Sequence, residues 1–224
     1  MPCKLAIFDM DGTILNSLRD IFTSLNHALA ANKLPVITFE QCRGYVGNGI
    51  FKLIERAAPA DSGDALLAQI HADFTAHYQI HCNDTTRPYD GIIDVLRQLR
   101  HDGWMTAVIS NKPDYGVQEL YHQHFEGLFD AATGDIPGYR KKPEPDLVDL
   151  ILEQLGVSRS EAVFIGDSEV DITTAENTDM PCVAVTWGFR KVEWLLAGGA
   201  KMLADTPQAL YDTLTNLRNL SFSG

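Results

Sequence analysis

Several features are scarce in this sequence, and each scarcity excludes a class of protein. It has 4 cysteines, Cys3, Cys42, Cys82 and Cys182, widely spaced and forming no C-x-x-C pair. No histidine stands beside them at zinc-ligand spacing, so neither a disulfide framework nor a zinc site is signalled, and buried reduced thiols are expected. Positive charge is short: 18 Lys and Arg face 30 Asp and Glu, a net charge of −12. Such a surface opposes a polyphosphate backbone, whose binding rests largely on cationic contacts, so nucleic acid is not an expected partner. Long apolar runs are also missing. The opening run Leu5 to Phe8 meets Asp9 and Asp11 too early for the apolar region of a secretory signal, and no later stretch is suited to spanning a bilayer. A cytoplasmic protein with no membrane partner is expected; its oligomeric state is not legible.

What is present fits a folded α/β protein. At 224 residues, with 45% hydrophobic and 21% charged residues, the chain suits one main core plus a smaller insert. Short apolar runs at Leu5 to Phe8, Met105 to Ile109, Phe129 to Ala132, Ala162 to Ile165 and Cys182 to Val185 alternate with helical patterns. Continuous apolar strands of this kind belong to parallel sheets covered on both faces. The covering helices carry apolar residues at helical spacing, as in Ile92, Ile93, Leu96 and Leu99, or in Leu147, Leu150, Ile151 and Leu155, which Gly156 stops. From about Ser17 to Cys82 the alternation ceases, with helical patterns at Ile21 to Ala31, Ile50 to Ala58 and Ala65 to Ile80 and no convincing strand. The expected organisation is an α/β core over 1–16 and 84–224 and a helical cap over 17–83. Turn-forming residues near Asn16 and from Asn83 to Pro88 mark the hinges.

A chain poor in cations must gather them locally, or use a metal ion, to hold an anionic substrate. Ligands bind at the carboxyl ends of strands in open α/β sheets, and polar clusters follow the expected strands. Asp9 and Asp11, two apart after the first strand, can face one pocket, one as nucleophile and the other as general acid and base. Gly12 lets backbone amides approach an anion, and Thr13 opens the turn that follows. Ser110 and Asn111 offer a hydroxyl and an amide to phosphate oxygens, and Lys142, before Pro143, offers a fixed point charge. Asp167 and Asp171, one helical turn apart, are hard oxygen ligands suited to Mg²⁺. Each cluster alone also reads blandly, as an Asp-Gly turn, a helix cap, solvated lysines or an acidic helix start. Together, at one sheet edge, they contain what phosphoryl transfer needs.

As an ordered set, Asp9-Met10-Asp11-Gly12-Thr13, Ser110-Asn111, Lys142-Pro143 and Gly166-Asp167 with Asp171 resembles the motifs of the haloacid dehalogenase superfamily of phosphohydrolases over nearly the whole chain. The resemblance implies a Rossmann-like parallel sheet sandwiched by helices, with a mobile inserted cap. It implies Asp9 as nucleophile, Asp11 as acid/base, and Ser110, Asn111 and Lys142 around the phosphoryl group. Mg²⁺ is then held by the Asp9 carboxylate, the Asp11 main-chain carbonyl and Asp167, with Asp171 supporting through water. Within the superfamily, Tyr45-Val46-Gly47-Asn48-Gly49 and Glu55-Arg56-Ala57 are similar to phosphoglycolate phosphatases, which implies a small phosphorylated metabolite as substrate and makes Arg43 a candidate reader of an anionic group. Glu169-Val170 departs from the polar pair often seen in that subgroup. Two other readings stay open: a sugar-phosphate mutase resembling β-phosphoglucomutase, which also uses Asp9 and Asp11, and a non-enzymatic phospho-acceptor or binding module. Asp11 argues against a dehalogenase, which has no leaving oxygen to protonate.

Overall fold

A strand enclosed on both faces must be apolar throughout, and β1 (Leu5–Phe8) meets that demand, with every side chain buried. In the computed structural model, which describes residues 3–220, β1 lies between β4 (Met105–Pro113) and β6 (Ala162–Gly166), parallel to both. With β5 (Ala131–Asp135), β7 (Cys182–Val185) and β8 (Met202–Ala204) these form a parallel six-stranded sheet of order β5-β4-β1-β6-β7-β8. Alternation sorts the side chains onto two faces. Ala6, Phe8, Val108, Val163 and Ile165 pack under α5 (Ile92–His101), α6 (Asp114–His124) and α10 (Pro207–Leu220). Leu5, Ile7, Ala107, Ile109 and Phe164 pack under α7 (Asp146–Leu155) and α8 (Glu169–Asn177). The short α9 (Val192–Ala197) buries Leu195 against Ile172 and Ala184. After β5 the chain crosses back over β1 to reach β6, so connections diverge on either side of β1 and open a crevice at its carboxyl end.

Above that crevice lie α1 (Leu18–Ala31), α2 (Phe39–Tyr45), α3 (Ile50–Ala57) and α4 (Asp64–His81), packed around their own cluster of Leu25, Leu29, Ile54, Ile70, Phe74 and Tyr78. The chain enters this helical layer through β2 (Leu15–Asn16) and leaves through β3 (Arg87–Pro88), which pair antiparallel. The two turn-rich stretches singled out in the sequence therefore lie side by side. Buried Asp20 reinforces the junction, because its carboxylate accepts from the backbone N–H and the hydroxyl of both Thr85 and Thr86.

The third expected strand begins at Ala131, and Phe129 instead packs edge-on against Phe8 at 5.9 Å between ring centroids. β4 continues past Ile109 to Pro113, and α2, β8 and the β2–β3 ribbon were not anticipated. α2 is too short to show a period, and a capping box between Thr38 and Gln41 starts it. Cys3, Cys42 and Cys82 are buried free thiols as expected, whereas Cys182 is partly exposed. Residues 1–2 and 221–224, within the expected core bounds, lie outside the described residues. No helix among the described residues is long and apolar enough to cross a membrane.

Ile7 is wholly enclosed at the middle of the central strand. Truncation there leaves a cavity that flanking strands cannot close, so Ile7→Ala should lower unfolding stability by about 2–5 kcal/mol, measured as a shift in the urea midpoint at unchanged slope.

Candidate active site

The Asp9 N–H donates to the Ile165 carbonyl at 2.8 Å, carrying the β1–β6 pairing just past the end of β1. The Met10 carbonyl then accepts from the N–H groups of Thr13, Ile14 and Leu15, which curls the chain. Met10 joins Phe8 in the core, and Asp9 and Asp11 on either side of it both reach the wall of one cleft. Gly12 has φ +92°, and a Cβ there would sit 2.3 Å from Asp167 Oδ2; at Gly188 a Cβ would sit 2.3 Å from Asp167 Cβ. Backbone thus closes on Asp167 from two directions, at positions only glycine allows.

Asp167 follows β6, and Ser168 caps α8. The Ser168 N–H and hydroxyl donate to Asp171 Oδ2 at 3.1 and 2.7 Å. Lys142, in the loop beyond β5, donates from Nζ to Asp171 Oδ1 and to Asp9 Oδ1, both at 2.7 Å. Carboxylate oxygens of Asp9, Asp167 and Asp171 lie within 4.8 Å of one another, and all these residues are buried. Asp167 accepts from the Phe189 N–H at 2.6 Å and from Thr13 Oγ1 at 3.4 Å, but has no ion pair among the described residues.

The electrostatics follow from this crowding. Burial, helped by repulsion from Asp171 and Asp11, pushes the Asp9 carboxyl up to about 7 although Lys142 pulls the other way. Asp167 is likewise raised well above the carboxylate range by burial and by Asp9 and Asp171. For Lys142 burial opposes the charge, but Asp171 and Asp9 outweigh it and raise its pKa. An all-oxygen donor set, closely packed, with one acid lacking a cation, fits a hard divalent ion such as Mg²⁺.

Asp11 stands outside that carboxylate cluster. Its Oδ1 accepts from Ser17 Oγ at 2.5 Å, and its Oδ2 lies 3.2 Å from Lys112 Nζ, which also donates to the Tyr78 hydroxyl. Ser110 is buried on the cleft wall. Asn111 is there too, but its side-chain amide donates to the backbone carbonyls of Lys142 at 2.9 Å and Gly47 at 3.2 Å, so it braces both loops. Arg43 sits at the end of α2, 3.8 Å from Glu40, outside the cleft lining; the arginine on the wall is Arg190.

Lys112, Tyr78, Ser17 and Arg190 escaped the sequence reading. Lys112 was findable, because it directly follows Ser110 and Asn111 at the end of β4. Arg190 follows β7 as the other clusters follow their strands, and the same question put to that strand would have found it. Tyr78 gives no local signal.

With this geometry established, known proteins supply a frame. Residues 6–185 match the family model described as haloacid dehalogenase-like hydrolase. The chain is 30% identical to a phosphoglycolate phosphatase of Aliivibrio fischeri, covering 96% of this chain and 98% of that one. It is 32% identical to one of Pseudomonas putida, covering 96% and 78%. A solved structure from Lactobacillus delbrueckii subsp. bulgaricus, named as a candidate phosphoglycolate phosphatase, superposes with a TM-score of 0.92 at 36% identity, covering 96% of this chain and 99% of that one.

A raised carboxyl pKa means that the folded state keeps a proton the unfolded chain has released. Stability of the metal-free protein should therefore fall as pH rises from the ordinary carboxylate value of 3.8 to about 7. A divalent ion competes for the same oxygens. Mg²⁺ should accordingly raise the thermal midpoint more at about pH 7.5 than at about pH 5.5, and Asp9→Asn should shrink that difference.

Proposed function

The chain belongs to the haloacid dehalogenase-like hydrolases and is a phosphoglycolate phosphatase-like phosphoric monoester hydrolase; from that membership we propose that it hydrolyses a small phosphoglycolate-like phosphomonoester, with Mg²⁺, through a phospho-aspartyl intermediate on Asp9. The observation that carries the reading is the meeting of Asp9, Asp167 and Asp171 at the carboxyl edge of the sheet, with Lys142 bridging Asp9 and Asp171. The Asp9 carboxylate attacks phosphorus while the bond to the leaving oxygen breaks, and Asp11 gives that oxygen its proton. Asp11 then takes a proton from water as the water oxygen attacks phosphorus, which breaks the bond to Asp9 and releases inorganic phosphate. Ser17 and Lys112 fix the Asp11 side chain for both transfers.

Ser110 and Lys142 hold phosphoryl oxygens, and Gly12 and Thr13 let the turn after β1 approach them closely. Asn111 contributes by bracing the Lys142 loop, and Arg43 remains a candidate for a remote anionic group of the substrate once the helical layer moves. Asp9, the Asp11 carbonyl and Asp167 would hold Mg²⁺, with Asp171 acting through water; the ion, when bound, neutralises charge between nucleophile and phosphoryl group. In this reading 1–16 and 84–224 form the catalytic core and 17–83 the cap. On the cap side the cleft presents Ile21, Val46, Ile50, Leu53 and Phe74, an apolar roof over the polar edge, which suits a small metabolite held away from bulk water. Free buried thiols agree with work in the reducing cytoplasm, and the net charge of −12 agrees with a metabolite rather than nucleic acid as partner.

Purified protein with Mg²⁺ should release phosphate from 2-phosphoglycolate and an aryl phosphate without isomerising a hexose phosphate. Asp9→Asn should lower kcat by about 10³-fold or more on both substrates. Asp11→Asn should retain more activity on the aryl phosphate, whose leaving group departs without a proton. Silence under every divalent metal, with the fold intact, would turn the reading to a binding module.

A further inference from the structure

Glu169, the first residue of α8, takes no part in the carboxylate cluster. Its side chain is engaged elsewhere: Oε2 accepts from Arg190 Nε at 2.8 Å and Oε1 from Arg190 Nη2 at 3.1 Å, a two-point fork. The Arg190 side chain is only 3% exposed. From the same guanidinium, Nη2 also donates to the Val46 carbonyl at 2.6 Å and Nη1 to the Arg43 carbonyl at 3.1 Å. Those carbonyls close the end of α2, where helical acceptors lack partners and carry partial negative charge, so a cation complements them. One side chain leaving β7 thereby joins α8 to the segment running into α3.

The neighbouring residue reinforces the junction. Phe189 donates its N–H to Asp167, while its ring is buried in the cluster of the helical layer. The turn after β7 thus holds a carboxylate of the candidate metal cluster with one residue and the helices above it with two.

We propose that Arg190, oriented by Glu169, is a positioning residue that clamps the segment from Arg43 to Gly49 over the cleft and sets how long a substrate stays enclosed. The guanidinium has five N–H donors, and its bonds to Glu169, Arg43 and Val46 leave no parallel pair for a substrate anion. It acts by holding the loop. Lysine substitutes only in part, because a point charge reaches neither the whole fork nor two carbonyls at once. Opening the loop breaks both carbonyl bonds together and leaves the Arg190–Glu169 pair intact on the core.

The clamp itself is testable without turnover; only its kinetic consequence rests on the phosphatase reading. Hydrogen exchange of the full chain in Mg²⁺ should show amides over 43–52 exchanging about tenfold faster in Arg190→Met and in Glu169→Gln, while β1 and β6 amides keep their wild-type rates. Glu169→Gln guards against a folding defect, since the Glu169 side chain is 44% exposed. With 2-phosphoglycolate the variants should raise KM by about fivefold, more than they change kcat, and Arg190→Lys should fall between wild type and Arg190→Met. Unchanged exchange over 43–52, or acceleration spread equally through β1 and β6, would overturn the clamp. A wild-type protein that hydrolyses no phosphoester would defeat the phosphatase reading while leaving the exchange result to decide the clamp.

Discussion

Lys142 is the counter-charge that allows acids distant in the chain to be buried together. Its ammonium bonds Asp9 and Asp171 at 2.7 Å each, and without it the crowded carboxylates would repel in a medium that screens them poorly. Lys142 is itself held from behind, through its carbonyl, by Asn111. The arrangement therefore depends on β4, β1, β6 and the loop after β5 being adjacent, which is what the sheet order provides. Asp167, left without a cation, is surrounded instead by a backbone N–H, a hydroxyl and glycine backbone. Packing and electrostatics meet at that residue, because the space that admits it has no room for anything larger than hydrogen on two of its neighbours.

The helical layer adds a second constraint. Its wall of Ile21, Leu53 and Phe74 faces Asp9, Asp11, Asp167 and Lys112, so the cleft is polar below and apolar above. Excluding water on one side strengthens every charge interaction on the other. Tyr78 is the polar exception, reaching down to Lys112 and through it to Asp11. An acid on the core is thus fixed by a contact with α4, and the two parts of the molecule share one hydrogen-bonded unit.

Much of this was legible in the sequence for a physical reason. Buried strands such as β1 and β6 are continuous apolar runs, and parallel topology sends whatever follows them to the same edge; Asp9, Ser110, Lys142 and Asp167 could be named because their clusters, each bland alone, follow successive strands. The boundaries that went astray are those without a local cause. β8 has three residues and α2 is shorter than two helical turns need to reveal a face. The pairings Lys112 with Tyr78 and Arg190 with Val46 span long stretches of chain and exist only once the helices dock on the sheet. Arg43 illustrates the limit: it lies in the last turn of a helix beside the cleft, but the arginine on the cleft wall comes from the turn after β7.

The two-residue ribbon of Leu15–Asn16 against Arg87–Pro88 has an evolutionary corollary. Since departure and return lie side by side, whatever the chain builds between them is joined covalently to the sheet through one narrow neck. Natural selection can lengthen, shorten or replace that excursion like an interchangeable tool head. The reactive edge beneath keeps its own architecture, and new selectivity can arise without rebuilding the machinery that cleaves the bond.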